Sequence, residues 1–74
     1  MPTSTDPRIT IEPGKRGGRP CIRGLRLTVE DVLGYLASGM SEEQILEDFS
    51  ELEKEDFKAV YAFAADMARQ QFAG

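Results

Sequence analysis

The chain of 74 residues contains no histidine and no tryptophan, and it has a single cysteine, Cys21. One cysteine excludes an intramolecular disulfide, and without histidine a zinc site of the usual Cys/His type cannot form within one subunit. The same absences exclude Ser-His-Asp and Cys-His arrangements for nucleophilic catalysis. Cys21 is expected to be a small buried apolar residue of a strand rather than a reactive thiol. We therefore expect a protein that is not an enzyme and has no metal site or cofactor.

Long apolar runs are also absent. No stretch approaches the roughly 18 apolar residues of a membrane span, and no secretory signal is recognisable at the N-terminus. Apolar residues make up 41% of the chain and charged residues 30%, which is ordinary for a globular protein. A single domain of this length buries only about 60% of the surface of its unfolded chain, so a partner subunit is expected. The expectation is a small cytoplasmic domain with no membrane contact.

Charge is distributed unevenly along the chain. Residues 1–27 contain six basic and two acidic residues, a net charge of +4. Residues 28–74 contain three basic and eleven acidic residues, a net charge of −8, and the formal net charge of the chain is −4. A basic segment on an otherwise acidic chain indicates either nucleic-acid contact limited to one face or contact with a partner protein.

The N-terminal third is predicted to form a small β-hairpin at residues 8–27, after a flexible tail at residues 1–7. Residues 8–12 alternate polar and apolar side chains, as a half-buried strand does. A glycine-rich turn follows, then a returning strand at residues 20–22 and a second short extended piece at residues 25–27. The basic residues and glycines of the turn do not match a phosphate-binding loop of the G-x-x-x-x-G-K-[ST] type.

From Thr28 onward the apolar residues recur with a helical period, which predicts helices at residues 29–38, 42–49 and 54–70. Thr28 and Ser41 are favourable N-cap residues, and the side chains three positions later, Asp31 and Gln44, can complete capping boxes. The predicted core-facing residues are Val29, Val32, Leu33, Leu36, Ile45, Leu46, Phe49, Phe57, Val60, Tyr61, Ala64, Met67 and Ala68.

The third helix carries more apolar surface than one small core needs. Its far side is predicted to hold Ala59, Ala62 and Ala65, and this surplus favours a homodimer formed through the helix. The predicted dimer interface consists of Tyr61, Phe63, Ala65, Met67 and Phe72.

Two short helices joined by a turn at Gly39 and followed by a third helix are typical of a helix-turn-helix domain. The third helix begins with Glu53-Lys54-Glu55-Asp56, and three carboxylates at this position oppose its entry into a DNA groove. If DNA is bound, the arginines of the hairpin, doubled in a twofold dimer, are the better candidates. The alternative is that these arginines pair with the acidic helices of their own chain or of its twin.

The segment GGRPCIRGLRLTVEDVLGYLASGMSEEQILEDFSELEKEDFKAVYAFAA resembles the bacterial family called "domain of unknown function 433". The family pattern runs roughly Gly-Gly-Lys-Pro-x-Ile-Arg-Gly-Thr-Arg-Ile, a helix, Gly-x-Ser-x-Glu-Glu-Ile, an acidic link, then Leu-x-x-x-Asp-Ile and an alanine-rich helix with an aromatic. The resemblance covers about residues 9–69. Leu25 stands where the family usually has threonine, and Glu53 replaces the usual Thr or Ser cap of the third helix.

The resemblance implies a helix-turn-helix-like or winged-helix-like fold, mainly α with a small N-terminal β-hairpin, and commonly a homodimer. It also implies an antitoxin of a type II toxin–antitoxin pair, a DNA-binding regulator that neutralises a PIN-like toxin and represses its own operon. The alternative is a protein–protein interaction module that does not bind DNA. A metal-dependent hydrolase built on Asp48, Glu51 and Glu55 is a third hypothesis, which their spacing disfavours because it suits solvated helix caps.

The family pattern marks several positions of the hairpin. The glycines and the proline among them are expected to meet requirements of the backbone. The residues expected to contact DNA or an acidic partner are Arg23 and Arg26, supported by Arg16 and Arg19. Whether they face DNA, a toxin or the twin subunit is left open by the sequence.

Overall fold

Three helices and a two-stranded hairpin form the part of the chain that this computed structural model describes, residues 7–72. The elements are β1 (Ile9–Thr10), a tight turn (Arg16–Gly18), β2 (Cys21–Ile22), α1 (Val29–Ala37), α2 (Glu42–Asp48) and α3 (Lys54–Phe72). The predicted fold class, mainly α with a small N-terminal hairpin, is confirmed. The winged-helix description is not, because both strands in the described range belong to the hairpin that precedes α1. The predicted tail at residues 1–7 lies outside the described residues except for Pro7.

The hairpin is shorter than predicted because the chain turns sharply after β2. β1 and β2 are antiparallel, with Ile9 opposite Ile22 and Thr10 opposite Cys21. Arg23 and Gly24 then adopt positive φ angles of 46° and 73°, as in a type I′ turn. The extended piece predicted at residues 25–27 returns beside β2, and an antiparallel bridge joins Cys21 to Thr28.

The first two helices begin at the predicted capping boxes. At α1 the Asp31 N–H donates to the Thr28 hydroxyl at 2.9 Å, and the Thr28 N–H donates to the Asp31 carboxylate at 3.2 Å. At α2 the Gln44 N–H donates to the Ser41 hydroxyl at 3.1 Å, and the Ser41 N–H donates to Gln44 Oε1 at 2.8 Å. These reciprocal bonds satisfy amide groups that the first turn of a helix leaves without partners.

The hydrophobic core lies where the hairpin and all three helices meet. Cys21 is buried beside it, as predicted. The buried residues that form the core are Ile22, Val29, Val32, Ile45, Leu52, Phe57 and Val60. No described helix is both long enough and apolar enough to cross a membrane.

The buried face of α3 differs from the predicted one. Phe57 and Val60 are buried, as predicted, whereas Tyr61 and Met67, which the sequence also assigns to a dimer interface, are 42% and 48% exposed. Ala59 was predicted on the far side and is buried. The inward face runs through Asp56, Ala59, Val60 and Phe63, at the i, i+3, i+4 and i+7 spacing of a helix. The sequence prediction left Asp56 out of this face, because a charged residue is seldom buried unless it is paired.

The α2 cap provides a test of local stability. Ser41→Ala removes the acceptor for the Gln44 N–H, so the free energy of unfolding should fall by about 1 kcal/mol. Urea denaturation followed by far-UV circular dichroism measures the change. Ser50→Ala is the matched control, because Ser50 is exposed and lies outside the helices. Equal stability of the two variants would show that the cap does not stabilise α2.

Candidate functional site

Two of the arginines predicted to contact DNA or a partner form ion pairs with α1. Arg16 Nη1 donates to Asp31 Oδ2 at 2.8 Å and to the Arg26 carbonyl oxygen at 2.7 Å. Arg19 pairs with Glu30, and both side chains are exposed. Burial acts to raise the pKa of Asp31, but a backbone hydrogen bond and the Arg16 guanidinium outweigh it, so the pKa lies below its ordinary value. Both pairs tie the hairpin to the first turn of α1.

Arg23, the third predicted contact residue, binds a buried carboxylate. Its Nε and Nη2 atoms donate to the Asp56 carboxylate at distances of 3.0 to 3.3 Å. Its Nη2 atom also donates to the carbonyl oxygen of Glu51. Asp56 is only 1% exposed. The type I′ turn holds Arg23 in a left-handed conformation that is unusual for a residue with a side chain, and the side chain spans from the hairpin to the start of α3.

Arg8 completes this ion cluster, which consists of Arg8, Arg23, Glu53 and Asp56. Arg8 Nη1 donates at 2.8 Å to both Glu53 and Asp56. The Glu53 N–H also donates to Asp56 Oδ2 at 2.8 Å, so Asp56 satisfies an amide group at the start of α3. The Glu53 side chain itself binds Arg8. Two guanidinium groups and two carboxylates make the cluster neutral as a whole.

The arginines determine the ionisation of Asp56. Burial acts to raise its pKa, but hydrogen bonds from Arg23, from the Glu53 N–H and from Arg8 outweigh this effect. The pKa of Asp56 therefore lies below its ordinary value, and the carboxylate is charged at neutral pH. Removing the charge of Asp56 would leave the two guanidinium groups without their shared buried carboxylate. Loss of one member of a buried ion pair is strongly destabilising, because the remaining charge is not compensated.

Arg26, the fourth predicted contact residue, differs from the other three. Its side chain is exposed, and it forms no ion pair with any residue that the structure describes. Lys15 pairs with Glu12 at 3.6 Å. Within residues 7–72, Arg26 is thus the one basic residue of the hairpin without an acidic partner in the chain. The hairpin is rich in arginine, but most of its charge is neutralised locally.

The acidic residues of α2 and of the segment that joins it to α3 show the opposite arrangement. We define the acidic surface as Glu42, Glu43, Glu47, Asp48, Glu51 and Glu55, which lie on α2, on the link that follows and at the start of α3. None of them forms an ion pair within the described range, and all except Glu42 are exposed. Glu42 accepts a hydrogen bond from the Tyr61 hydroxyl, which raises the pKa of Tyr61 to about 12. Across residues 7–72, no group of three or more metal-binding side chains is placed to hold an ion.

An apolar groove lies between α1 and the C-terminal half of α3, with a volume of about 440 Å³. Two residues of the predicted dimer interface, Phe63 and Met67, line it. Tyr61 lies instead beside Glu42, and Ala65 is exposed. The Phe72 side chain is outside the described part of the chain. The homodimer itself stays a prediction.

Sequence reasoning missed Asp56 as a site residue and treated Arg8 only as part of a strand. A signal was present at the start of α3. Asp56 lies three residues after Glu53, which is the spacing of a side chain that bonds back to the N-cap amide. The spacing of Asp56, Ala59, Val60 and Phe63 also fits one helical face. A buried aspartate needs cationic partners, and the hairpin supplies them.

The ion cluster predicts how stability depends on pH. The folded-state pKa of Asp56 is depressed, so its stabilising contribution is present above the unfolded pKa and is lost as pH falls through the folded pKa. Asp56→Asn should therefore unfold more easily at about pH 7, by about 2 kcal/mol, and the difference from the native chain should shrink at about pH 3. Urea denaturation across this range tests the effect.

Asp48→Asn is the control for this experiment, because Asp48 is an exposed carboxylate without an ion pair in the described structure. Its stability should follow that of the native chain at every pH. A stability difference for Asp56→Asn that did not change with pH would contradict the assigned role of the carboxylate.

Comparison with known proteins identifies the family. No protein of curated function matches the chain. The model of the family described as "Protein of unknown function (DUF433)" matches residues 9–64. The crystal structure of a DUF433 member protein from Anabaena variabilis ATCC 29413 is similar, with a TM-score of 0.79 and 28% sequence identity. The similarity covers 85% of this chain but 62% of that one, so this chain spans less than two thirds of its relative. The chain belongs to the DUF433 family.

Proposed function

We propose that this protein is a non-enzymatic, antitoxin-like interaction module whose acidic surface covers a positively charged surface of a partner protein. The distribution of ion pairs is the observation that carries the proposal. Five of the six basic residues of the hairpin bind carboxylates of their own chain, whereas the acidic surface forms no ion pair in the described structure. Carboxylates that form no ion pair within the described structure are available to a basic partner.

The charge of the acidic surface indicates the chemistry of the partner. Six carboxylates lie there, and the nearest basic residues in sequence, Lys54 and Lys58, offset only part of their charge. Such a surface attracts a basic protein and repels nucleic acid. Proteins that act on nucleic acid carry basic surfaces, because they must neutralise phosphates. The PIN-like toxin that the family resemblance implies would have this property, and an acidic module could block its substrate channel.

DNA binding by Arg16, Arg19, Arg23 and Arg26, with repression of the operon, is the competing proposal. Arg26 supports it, because its side chain is exposed and has no acidic partner within residues 7–72. The other three would have to leave carboxylates to contact phosphates. For Arg23 this would also strip a buried aspartate of its main partner. The internal pairing favours the protein-binding function over DNA binding.

Reversing charge on the acidic surface tests the proposal. Glu43 and Glu47 are exposed and lie one helical turn apart on α2, so Glu43→Lys with Glu47→Lys turns two attractive contacts into repulsive ones. Co-expressed with the product of the adjacent gene, the native chain should co-elute in size-exclusion chromatography. The variant should bind at least about 100-fold more weakly by calorimetry. Undiminished binding by this variant would contradict the proposal.

A matched control reverses the same number of charges on the hairpin side. Glu12→Lys with Glu30→Lys should leave partner binding intact, and it releases Lys15 and Arg19 from their carboxylates. Fluorescence anisotropy with the chain's own upstream DNA and a random duplex then separates the two functions. No binding to either duplex is expected for the native chain. Specific, salt-sensitive binding that this control strengthens and Arg26→Ala weakens would establish the DNA-binding function instead.

A further inference from the structure

A pocket of about 380 Å³ lies between the extended piece at residues 25–27 and the link that follows α2. The extended piece lines it with Leu25, Arg26 and Leu27, and the end of α2 and the link line it with Phe49 and Glu51. The three apolar side chains are partly buried, whereas the two charged residues are exposed. An apolar surface with a few charged groups is typical of a binding site, and the volume falls in the usual range of about 300 to 1,000 Å³.

Hydrogen bonds to the main chain hold both sides of this pocket in place. The Arg26 carbonyl oxygen accepts from the Arg16 side chain at 2.7 Å. The Glu51 carbonyl oxygen accepts from the Arg23 side chain, which the ion cluster fixes. Neither bond involves the side chain of Arg26 or Glu51, so both side chains can meet a ligand without any loss to the fold. A pocket that is already formed binds its ligand at a smaller cost in entropy.

The two charged side chains of the pocket have opposite signs, and within residues 7–72 neither forms an ion pair. Arg26 is the hairpin residue whose charge the fold leaves uncompensated, and Glu51 belongs to the acidic surface. A purely basic ligand would be repelled by Arg26, and a purely acidic one by Glu51. The ligand that complements both carries one positive and one negative group beside an apolar one.

A polypeptide meets this requirement better than a nucleic acid does. Glu51 and the rest of the acidic surface would repel phosphates. Phe49 is also a poor platform for a base, because its ring already stacks on Tyr35 with the ring centroids 5.3 Å apart. A polypeptide can place an apolar side chain between side chains of either charge. Glu51 further makes the pocket continuous with the surface proposed to bind a basic protein.

We propose that the pocket binds one polypeptide segment of the basic partner, whose apolar side chain lies on the apolar lining while a basic side chain faces Glu51 and an acidic one faces Arg26. This inference rests on the proposed function for the identity of the partner. It adds that the partner's surface is not uniformly basic, since it presents a carboxylate beside the inserted side chain. Arg26 then determines how the partner is oriented on the acidic surface, and it disfavours proteins that are basic throughout.

Selection from a phage library of random heptapeptides, with the full chain as bait, tests the pocket without the partner. Enriched peptides should carry an apolar residue between one acidic and one basic residue, in a constant order. Arg26→Glu should bind such a peptide at least about tenfold more weakly by calorimetry. Arg26→Glu combined with Glu51→Lys exchanges the two charges and keeps the net charge, so it should enrich peptides in which the order of the charges is reversed.

Lys58→Glu is the matched control, because Lys58 is exposed, does not line the pocket and changes the net charge by the same amount. It should bind the selected peptide as the native chain does. Enrichment of uniformly basic peptides that Arg26→Glu binds equally well would overturn the pocket and leave the proposed function standing. Failure to enrich any peptide would also overturn it, as would binding of a single-stranded oligonucleotide that Arg26→Glu abolishes. Enrichment of the expected peptides without binding of the adjacent gene's product would contradict the proposed function alone.

Discussion

The buried carboxylate of Asp56 is the constraint on which the arrangement of this small protein depends. Arg23 reaches it from the hairpin and Arg8 from the start of β1, across 33 and 48 positions in sequence. A hairpin of two-residue strands is not stable alone. The ion cluster fixes it against α3 and satisfies an amide at the start of that helix. Because the carboxylate is almost fully buried, replacing either arginine would leave it with only one of its two cationic partners.

This arrangement divides the charges of the chain into two sets. The basic residues of the hairpin are mostly used to hold the fold together, through α1 as well as α3. The carboxylates of α2 and the following link form no ion pair in the described structure, and among them only Glu42 binds another helix, through the Tyr61 hydroxyl. The arginines of the hairpin therefore have a largely structural role. The exposed carboxylates of α2 remain available to a partner. Membership of the DUF433 family is consistent with either function.

The sequence predicted those features that depend on neighbouring residues. Thr28 with Asp31 and Ser41 with Gln44 form the expected capping boxes, and the three helices end within two residues of the predicted bounds. The spacing at the start of α3 could indicate that Asp56 caps the helix and lies on its inward face, but no local pattern could identify its arginine partners, because they lie more than 30 residues away. For the same reason the sequence could not distinguish an arginine that binds a phosphate from one that binds its own chain.

A double-mutant cycle between Arg23 and Asp56 tests the central claim most directly. Free energies of unfolding are measured for Arg23→Ala, Asp56→Ala and the double variant, with Arg26 and Asp56 as the control pair. We expect a coupling energy of about 1 to 3 kcal/mol for Arg23 with Asp56, and a value near zero for the control pair. A coupling near zero for both pairs would show that Arg23 does not hold the hairpin to α3, and its guanidinium would then be available to an external phosphate.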